Sequence, residues 1–335
     1  MNIQTSLIIP AWNAESTISE CLLSALNANL SPKEILVVDD LSTDNTTKIV
    51  ANLFRKYSKI KLLKLDKNLG PAAARDYGVK NSLGNIIIFA DSDTVFLKDT
   101  IVNCLNTMKK YNADAISGIY HPDPINKGKT QLYKALFFYY QFIRHKEPFK
   151  YETFNGQIGV IKKDVYNITG GYNTSITWGM DNENEEFGRR INEKHSLFLD
   201  PKFQVKHNFP DFKKLTKTYF FRVSTWMYIF MRDLKFESGG PAAMDSGLAA
   251  MSVLLFIIFF LFGLIFNNFL TIISLIFLFI WIYGYIKFFI YVYENKRTFL
   301  IYSVCLNIWF SIVISLGAAW GLIKWMCGKR AESIN

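Results

Sequence analysis

Cysteine is scarce: Cys21, Cys104, Cys305 and Cys327 are all that 335 residues contain, and they stand at no metal-ligand spacing. That excludes a disulfide framework and a cysteine-ligated zinc centre, and it agrees with a reducing compartment. No internal repeat or low-complexity linker divides the chain, and no motif of nucleic-acid binding occurs in it. The net charge of +10 therefore points to an anionic membrane surface rather than to a nucleic acid. Charge itself is missing over long stretches. Gly247 to Ile286 holds no charged residue and is interrupted only by Asn267-Asn268, and Thr298 to Ile323 holds none either. A membrane-crossing helix needs about 20 mainly apolar residues, so spans are expected at 247–266, 269–292 and 299–323, the first two joined by the Asn-Asn turn. Trp281, Tyr283, Tyr285, Tyr291 and Tyr293 would form an interfacial aromatic belt near one end of the second span. No signal-peptide pattern precedes the first strand. The expectation is a cytoplasmic N-terminal domain, with the Lys296-Arg297 loop on the same side.

What is present before residue 100 is alternation. Ser6–Pro10, Glu34–Asp39, Ile60–Leu65 and Ile86–Ala90 are short apolar runs of the kind that fill a parallel sheet covered on both faces. Between them, 14–27, 43–57 and 71–81 repeat apolar residues at helical spacing. Ser42 and Thr43 suit helix N-caps and Pro71 suits a first turn. Strand and helix in turn imply an α/β layer fold, and such a sheet binds ligands beyond the carboxyl ends of its strands.

Polar clusters stand at those ends. Asp91-Ser92-Asp93 follows the fourth run, and residues i and i+2 of an extended segment point the same way. Two carboxylates there suit Mg²⁺ or Mn²⁺ shared with a substrate phosphate. Pro10-Ala11-Trp12-Asn13-Ala14-Glu15, Asp39 to Asp44 and Asn68-Leu69-Gly70-Pro71 follow the first three runs. Any one of them is explained by capping and turn formation; their joint position on the ligand-binding rim is not.

Four segments, 6–13 (SLIIPAWN), 34–46 (EILVVDDLSTDNT), 68–78 (NLGPAAARDYG) and 89–93 (FADSD), resemble in order and spacing the motifs of family 2 inverting glycosyltransferases. The resemblance covers about 4–210. It implies a GT-A nucleotide-diphospho-sugar transferase fold, a mostly parallel sheet flanked by helices, followed here by an α-helical transmembrane region. It also implies a nucleotide-sugar donor, UDP- or GDP-linked, and a divalent metal. Position by position, Pro10, Asn13, Glu15, Asp40 and Gly70 would line the nucleotide pocket, with Asp40 accepting from the base. Arg75 would bring a cation near the nucleotide, Asp91 would contact ribose or metal, and Asp93 would hold the metal. His207 stands where related enzymes often have a late metal or phosphate contact.

Gly170-Gly171-Tyr172 and the acidic stretch Asp181-Asn182-Glu183-Asn184 resemble the family's acceptor segment, in which the second carboxylate of a pair is the general base. Either register leaves Asn at that place. Asp181 or Glu183 is then the expected base, unless the acceptor is an already ionised phosphate. Basic and aromatic residues interleave over 132–146 and 212–232, as in segments that lie along an anionic membrane surface; packing on the catalytic domain is the plainer alternative. The expected organisation is a catalytic domain over 1–210, an interfacial segment over 211–246 and a membrane anchor over 247–335. The expected function is transfer of a sugar to a lipid-linked or glycolipid acceptor by a multi-pass protein of the cell membrane. A processive synthase is disfavoured by the missing Gln-x-x-Arg-Trp segment. Two alternatives stay open: a polyprenyl-phosphate monoglycosyltransferase, and a non-catalytic nucleotide-sugar-binding protein of a glycan-export complex.

Overall fold

The computed structural model of the chain describes residues 4–175, 183–236, 240 and 243–328. The first elements follow the sequence pattern closely: β1 (Thr5–Ala11), α1 (Ile18–Leu26), β2 (Glu34–Asp39), α2 (Thr46–Lys56), β3 (Ile60–Lys64), α3 (Pro71–Lys80) and β4 (Ile86–Ala90). β1 and β2 are buried along their whole length, as expected of strands covered on both faces. α1 and α2 start later than their apolar spacing predicts. Residues before each of them turn instead to bond across the sheet rim, and Asp44 rather than Ser42 or Thr43 accepts from the Thr46 amide at 2.9 Å.

The chain continues through β5 (Thr94–Phe96), α4 (Thr100–Tyr111), β6 (Ala115–Tyr120), α5 (Lys129–Ile143), β7 (Phe149–Lys150), β8 (Ile158–Lys162), α6 (Lys163–Ile168), α7 (Glu183–Lys194) and β9 (Leu197–His207). One mixed sheet runs β3-β2-β1-β4-β8-β6-β9-β5, with β7 paired to β9. β1 pairs in parallel with both β2 and β4, and β2 with β3, so the carboxyl ends of these four strands share one rim. One face is packed by Leu7, Ile9, Ile35, Val37 and Ile88 with α1, and the other by Ile8, Val38, Phe89, Phe154 and Phe187.

A second compact unit comprises residues 127–142 and 209–332. It holds most of α5 together with α8 (Phe212–Asp233), α9 (Met244–Phe266), α10 (Asn268–Lys296) and α11 (Leu300–Met326), the last two separated by a 3-10 turn at Arg297–Phe299. Asn267 ends α9 and caps α10, accepting from the Phe269 amide at 2.8 Å. The helical stretches Met244–Phe266 and Asn268–Met326 are long and apolar enough to cross a membrane. α5 lies within 1–210 by sequence, yet its apolar face joins this unit: Tyr133, Leu136 and Phe137 pack with Trp281, Phe288 and Phe310. Buried Asn307 ties the helices together, accepting from Trp281 Nε1 at 3.0 Å and donating to the Tyr133 hydroxyl at 3.1 Å. Each end of that amide is satisfied, which a buried polar group requires.

Candidate active site

The rim is built by side chains bonding from one strand-to-helix loop to the next. Asn13 sits at φ 49°, a left-handed conformation that asparagine tolerates better than most residues. Its amide donates to Ser42 Oγ at 3.0 Å, and its Oδ1 accepts from the Thr43 amide at 2.8 Å. Glu15 Oε2 accepts from the Asn45 backbone and side-chain amides at 3.0 and 2.9 Å, while its own amide donates to Asp44 Oδ2. Pro10 is buried near the end of β1. The loops after β1 and β2 thus form one laced edge, with Trp12 and Leu41 exposed upon it.

Asp40 is buried and uses both oxygens on the next loop, accepting from the Leu69 amide at 2.7 Å and the Gly70 amide at 2.8 Å. Its ionised carboxylate retains further lone pairs on each oxygen. Gly70 holds φ 85° before Pro71 opens α3; a side chain there would be strained. The neighbouring Asp39 accepts from the Ser42 amide through Oδ2, and its buried Oδ1 has no hydrogen-bond partner among the described residues.

α3 carries Arg75 inward, 2 % exposed. The guanidinium lies 2.8 Å from Asp91 Oδ1 and 3.6 Å from Glu183 Oε1, with the Tyr172 ring centroid 5.5 Å away. Burial works against the charge, but Asp91, Tyr172 and Glu183 outweigh it and hold the guanidinium above its ordinary pKa. Asp91 is pushed the other way: burial raises its carboxyl above the ordinary carboxylate range and Asp93 adds to that, against the pull of Arg75. One cation does not satisfy this pair of acids.

His207 supplies a nitrogen. Antiparallel pairing of β5 with β9 sets Thr94 opposite His207, bringing the imidazole beside Asp93 with Nε2 3.2 Å from Oδ1. Ligand atoms of Asp91, Asp93 and His207 all lie within 4.8 Å of one another. Two hard carboxylates and one imidazole, gathered at an under-compensated negative site, fit a divalent cation of the Mg²⁺ or Mn²⁺ kind. The fold thus joins Asp91 and Asp93 to His207 and Arg75, and it keeps Asn13 and Glu15 on the same rim.

Of the two candidate bases, Asp181 lies outside the described residues. Glu183 opens α7, 8 % exposed and facing Arg75. Asn184 works as a structural joint: Oδ1 accepts from the Gly156 amide at 3.1 Å and from the Tyr172 hydroxyl at 3.2 Å, and its carbonyl accepts from the Phe154 amide. Three participants escape sequence reasoning. Tyr172 lies over Arg75, and the Gly-Gly-Tyr motif was its signal. Tyr120 packs its ring 4.4 Å from His207 and had none. Gly156 leaves room for Arg75, Tyr172 and Asn184 to meet, a role that only their convergence reveals.

Residues 6–168 match the family model described as glycosyl transferase family 2. An uncharacterised glycosyltransferase of Rickettsia conorii is 32% identical over 210 residues, 58% of this chain and 34% of that protein. The Escherichia coli UDP-Glc:alpha-D-GlcNAc-diphosphoundecaprenol beta-1,3-glucosyltransferase WfgD is 36% identical over 115 residues, 34% of this chain and 45% of its own length. The chain thus spans less than half of each. Among solved structures, the mannosyltransferase PcManGT of Pyrobaculum calidifontis, in complex with GDP-Man and Mn²⁺, aligns over 98% of this chain and 89% of its own at 15% identity, with a TM-score of 0.59. That likeness concerns the fold. Motifs, sheet topology and these matches agree that residues 6–168 are a glycosyl transferase family 2 domain of the GT-A fold, and the chain continues into helices apolar enough to cross a membrane.

Proposed function

We propose that this protein transfers a sugar from a UDP- or GDP-sugar to a lipid-linked acceptor at a membrane surface. The observation that carries the reading is the convergence of Asp91, Asp93 and His207 beside Arg75 at the carboxyl ends of the parallel strands. A divalent cation held by those three ligands would neutralise the departing nucleoside diphosphate. Asn13, Glu15, Pro10, Asp40 and Gly70 would shape the nucleotide pocket, with the laced loops holding it rigid before the donor arrives. Arg75 would orient Asp91 and oppose the effect of burial on its charge. Asp181 or Glu183 would take the proton of the attacking hydroxyl. The relative whose printed name gives a diphosphoundecaprenol acceptor, together with the apolar helices, supports a lipid-linked acceptor. On this reading α9, α10 and α11 cross the cell membrane and the catalytic domain faces the cytoplasm, where the loop at Lys296-Arg297 also lies.

One observation favours a second reading. Glu183 is engaged by a buried guanidinium at 3.6 Å rather than standing free to take a proton, and Asn184 is committed to structure. A phosphate acceptor, ionised near neutral pH, would attack without a base, as in a polyprenyl-phosphate monoglycosyltransferase. The test is incubation of detergent-purified protein and its Asp93→Ala variant with a panel of nucleotide sugars, Mn²⁺ and native lipid extract. Labelled sugar in the lipid phase, lost in the variant, is expected. Nucleotide binding without donor turnover would sink the transferase reading in favour of a non-catalytic nucleotide-sugar-binding protein.

A further inference from the structure

We propose that a cavity between α4, the approach to β7 and the early part of β9 is a second sugar-binding site, which takes one uncharged sugar ring. The inference goes beyond the transfer reading, because the cavity stands apart from the metal ligands: Asp200 precedes His207 by seven residues on β9. It measures about 170 Å³, room for about five or six waters at ~30 Å³ each, which suits a single ring and excludes a nucleotide or an oligosaccharide chain. α4 turns Ile101, Cys104 and Met108 to the core and a second stripe, Asn103, Asn106, Thr107, Lys110 and Tyr111, to the cavity. At spacings of three and four these share one helix face. Opposite them β9 bulges. The ladder pairs Ser117 with Leu199 and then Ile119 with Gln204, so β6 advances two residues while β9 advances five. Bulges re-aim side chains and are frequent beside functional sites. This one sets Asp200 and Lys202 against the polar stripe, and Glu147 and Pro148, just before β7, close the third side.

The lining is held in place by its own bonds. Asp200, 1 % exposed, accepts from Thr107 Oγ1 at 2.6 Å and from the Lys202 amide at 2.8 Å. Asn103 Nδ2 donates to the Lys202 carbonyl at 3.1 Å. Glu147 Oε2 accepts from the Tyr111 hydroxyl at 3.0 Å and from Lys110 Nζ at 3.4 Å. Hydrogen-bonding capacity is left over: an ionised carboxylate has about four lone-pair sites, and each asparagine amide offers both a donor and an acceptor. Burying the Asp200 carboxylate is a cost to the fold that further donors would offset. Two cations, Lys110 and Lys202, stand against two carboxylates, Glu147 and Asp200, so the lining carries no net charge. A phosphate would meet the carboxylates, and a metal ion the ammonium groups. A sugar hydroxyl both donates and accepts, which matches this alternation. The Tyr111 ring and Pro148 give an apolar flank to the C–H edge of the sugar.

The ring arrives either as a free monosaccharide or as one residue of a glycan, and the anomeric oxygen separates the two. Full-length protein carrying Asp93→Ala, which removes a ligand from the donor site, would be reconstituted in phosphatidylcholine nanodiscs free of glycoside detergent. Saturation-transfer difference NMR in EDTA would then be run with glucose, galactose, mannose and N-acetylglucosamine and with their methyl glycosides. Transfer to at least one of these sugars is expected. Asp200→Asn should weaken binding by about ten- to a hundred-fold, the worth of a hydrogen bond to a charged group. Asn106→Trp, at an exposed position, fills the cavity; it should abolish the transfer while the melting midpoint stays native, and it serves if Asp200→Asn does not fold. Equal binding of a sugar and its methyl glycoside would identify a glycan residue as the ligand, and binding of the free sugar alone a monosaccharide. No transfer to any probe, or transfer that survives Asn106→Trp with native melting, would overturn the assignment. Donor turnover is read on separate protein with Asp93 intact, where Asn106→Trp should leave it unchanged, so a failed transferase reading and an empty cavity give different results.

Discussion

Arg75→Met removes the guanidinium that pairs with both Asp91 and Glu183. Methionine keeps most of the length of the side chain and none of its charge, leaving two carboxylates facing each other with Asp93 nearby. Deleting one partner of a buried ion pair costs about 3–5 kcal/mol. The Asp91 side chain keeps 26% of its exposure, so water recovers part of that, and about 2–3 kcal/mol is expected to remain. In a domain of this size each kcal/mol moves the melting midpoint by about 2–4 °C, giving a fall of about 4–12 °C. The assay is thermal melting of the detergent-solubilised full chain, followed by circular dichroism, in EDTA and in Mn²⁺. Because the variant leaves Asp91 and Glu183 without their guanidinium, Mn²⁺ should restore more of the midpoint in the variant than it adds to the wild type. The double variant Arg75→Met/Asp91→Asn should recover at least about 1 kcal/mol relative to the sum of the single changes. A fall below about 2 °C in EDTA, with no coupling to Asp91, would refute the view that Arg75 balances the acids of this site.

His207→Gln should weaken the stabilisation by Mn²⁺ about ten-fold or more while the EDTA midpoint stays near that of the wild type; a midpoint titration with Mn²⁺ measures both. Gly156→Ala places a methyl group against the Tyr172 hydroxyl, 2.8 Å from Asn184 Oδ1 and 3.0 Å from Arg75 Cζ. We expect a loss of about 1–3 kcal/mol and a fall in donor turnover with unchanged circular dichroism; full turnover would show that the junction is not needed. Glu34, buried, accepts from Ser6 Oγ at 2.6 Å, the Leu83 amide at 2.6 Å and Lys61 Nζ at 2.8 Å. Burial opposes its charge, yet these bonds hold its pKa below the ordinary value. A depressed pKa gives stability that is complete above the unfolded value, about 4.3, and lost as pH falls through the folded one. Glu34→Gln should therefore melt lower than the wild type at neutral pH, and the two should converge on acidification; a constant gap at all pH values would contradict this.

Much of the first domain was legible because local chemistry and tertiary demand coincide there. β2 and β4 have the predicted bounds, since an apolar run buried on both faces has no register to choose and ends where Asp39 and Asp91 begin the rim. Pro71 opens α3 as predicted. The starts of α1 and α2 were not legible, because Asn13, Glu15, Asp44 and Ser42 spend their side chains on backbone amides of the facing loop across the rim, and that trade is invisible along the chain. Tyr172 could be suspected from its motif; Gly156 and Tyr120 could not.

The sequence by itself determined the alternation of strand and helix, the Asp91-Ser92-Asp93 motif after β4 and the uncharged helices at the end, because each depends on neighbours a few residues apart. Only the tertiary structure decided that His207 meets Asp93, that Arg75 bridges Asp91 and Glu183, and that α5 leaves the first domain to pack with α10 and α11. Those pairings depend on strand register and on where an apolar helix face finds its partner, which are properties of the folded chain and not of any short stretch of it.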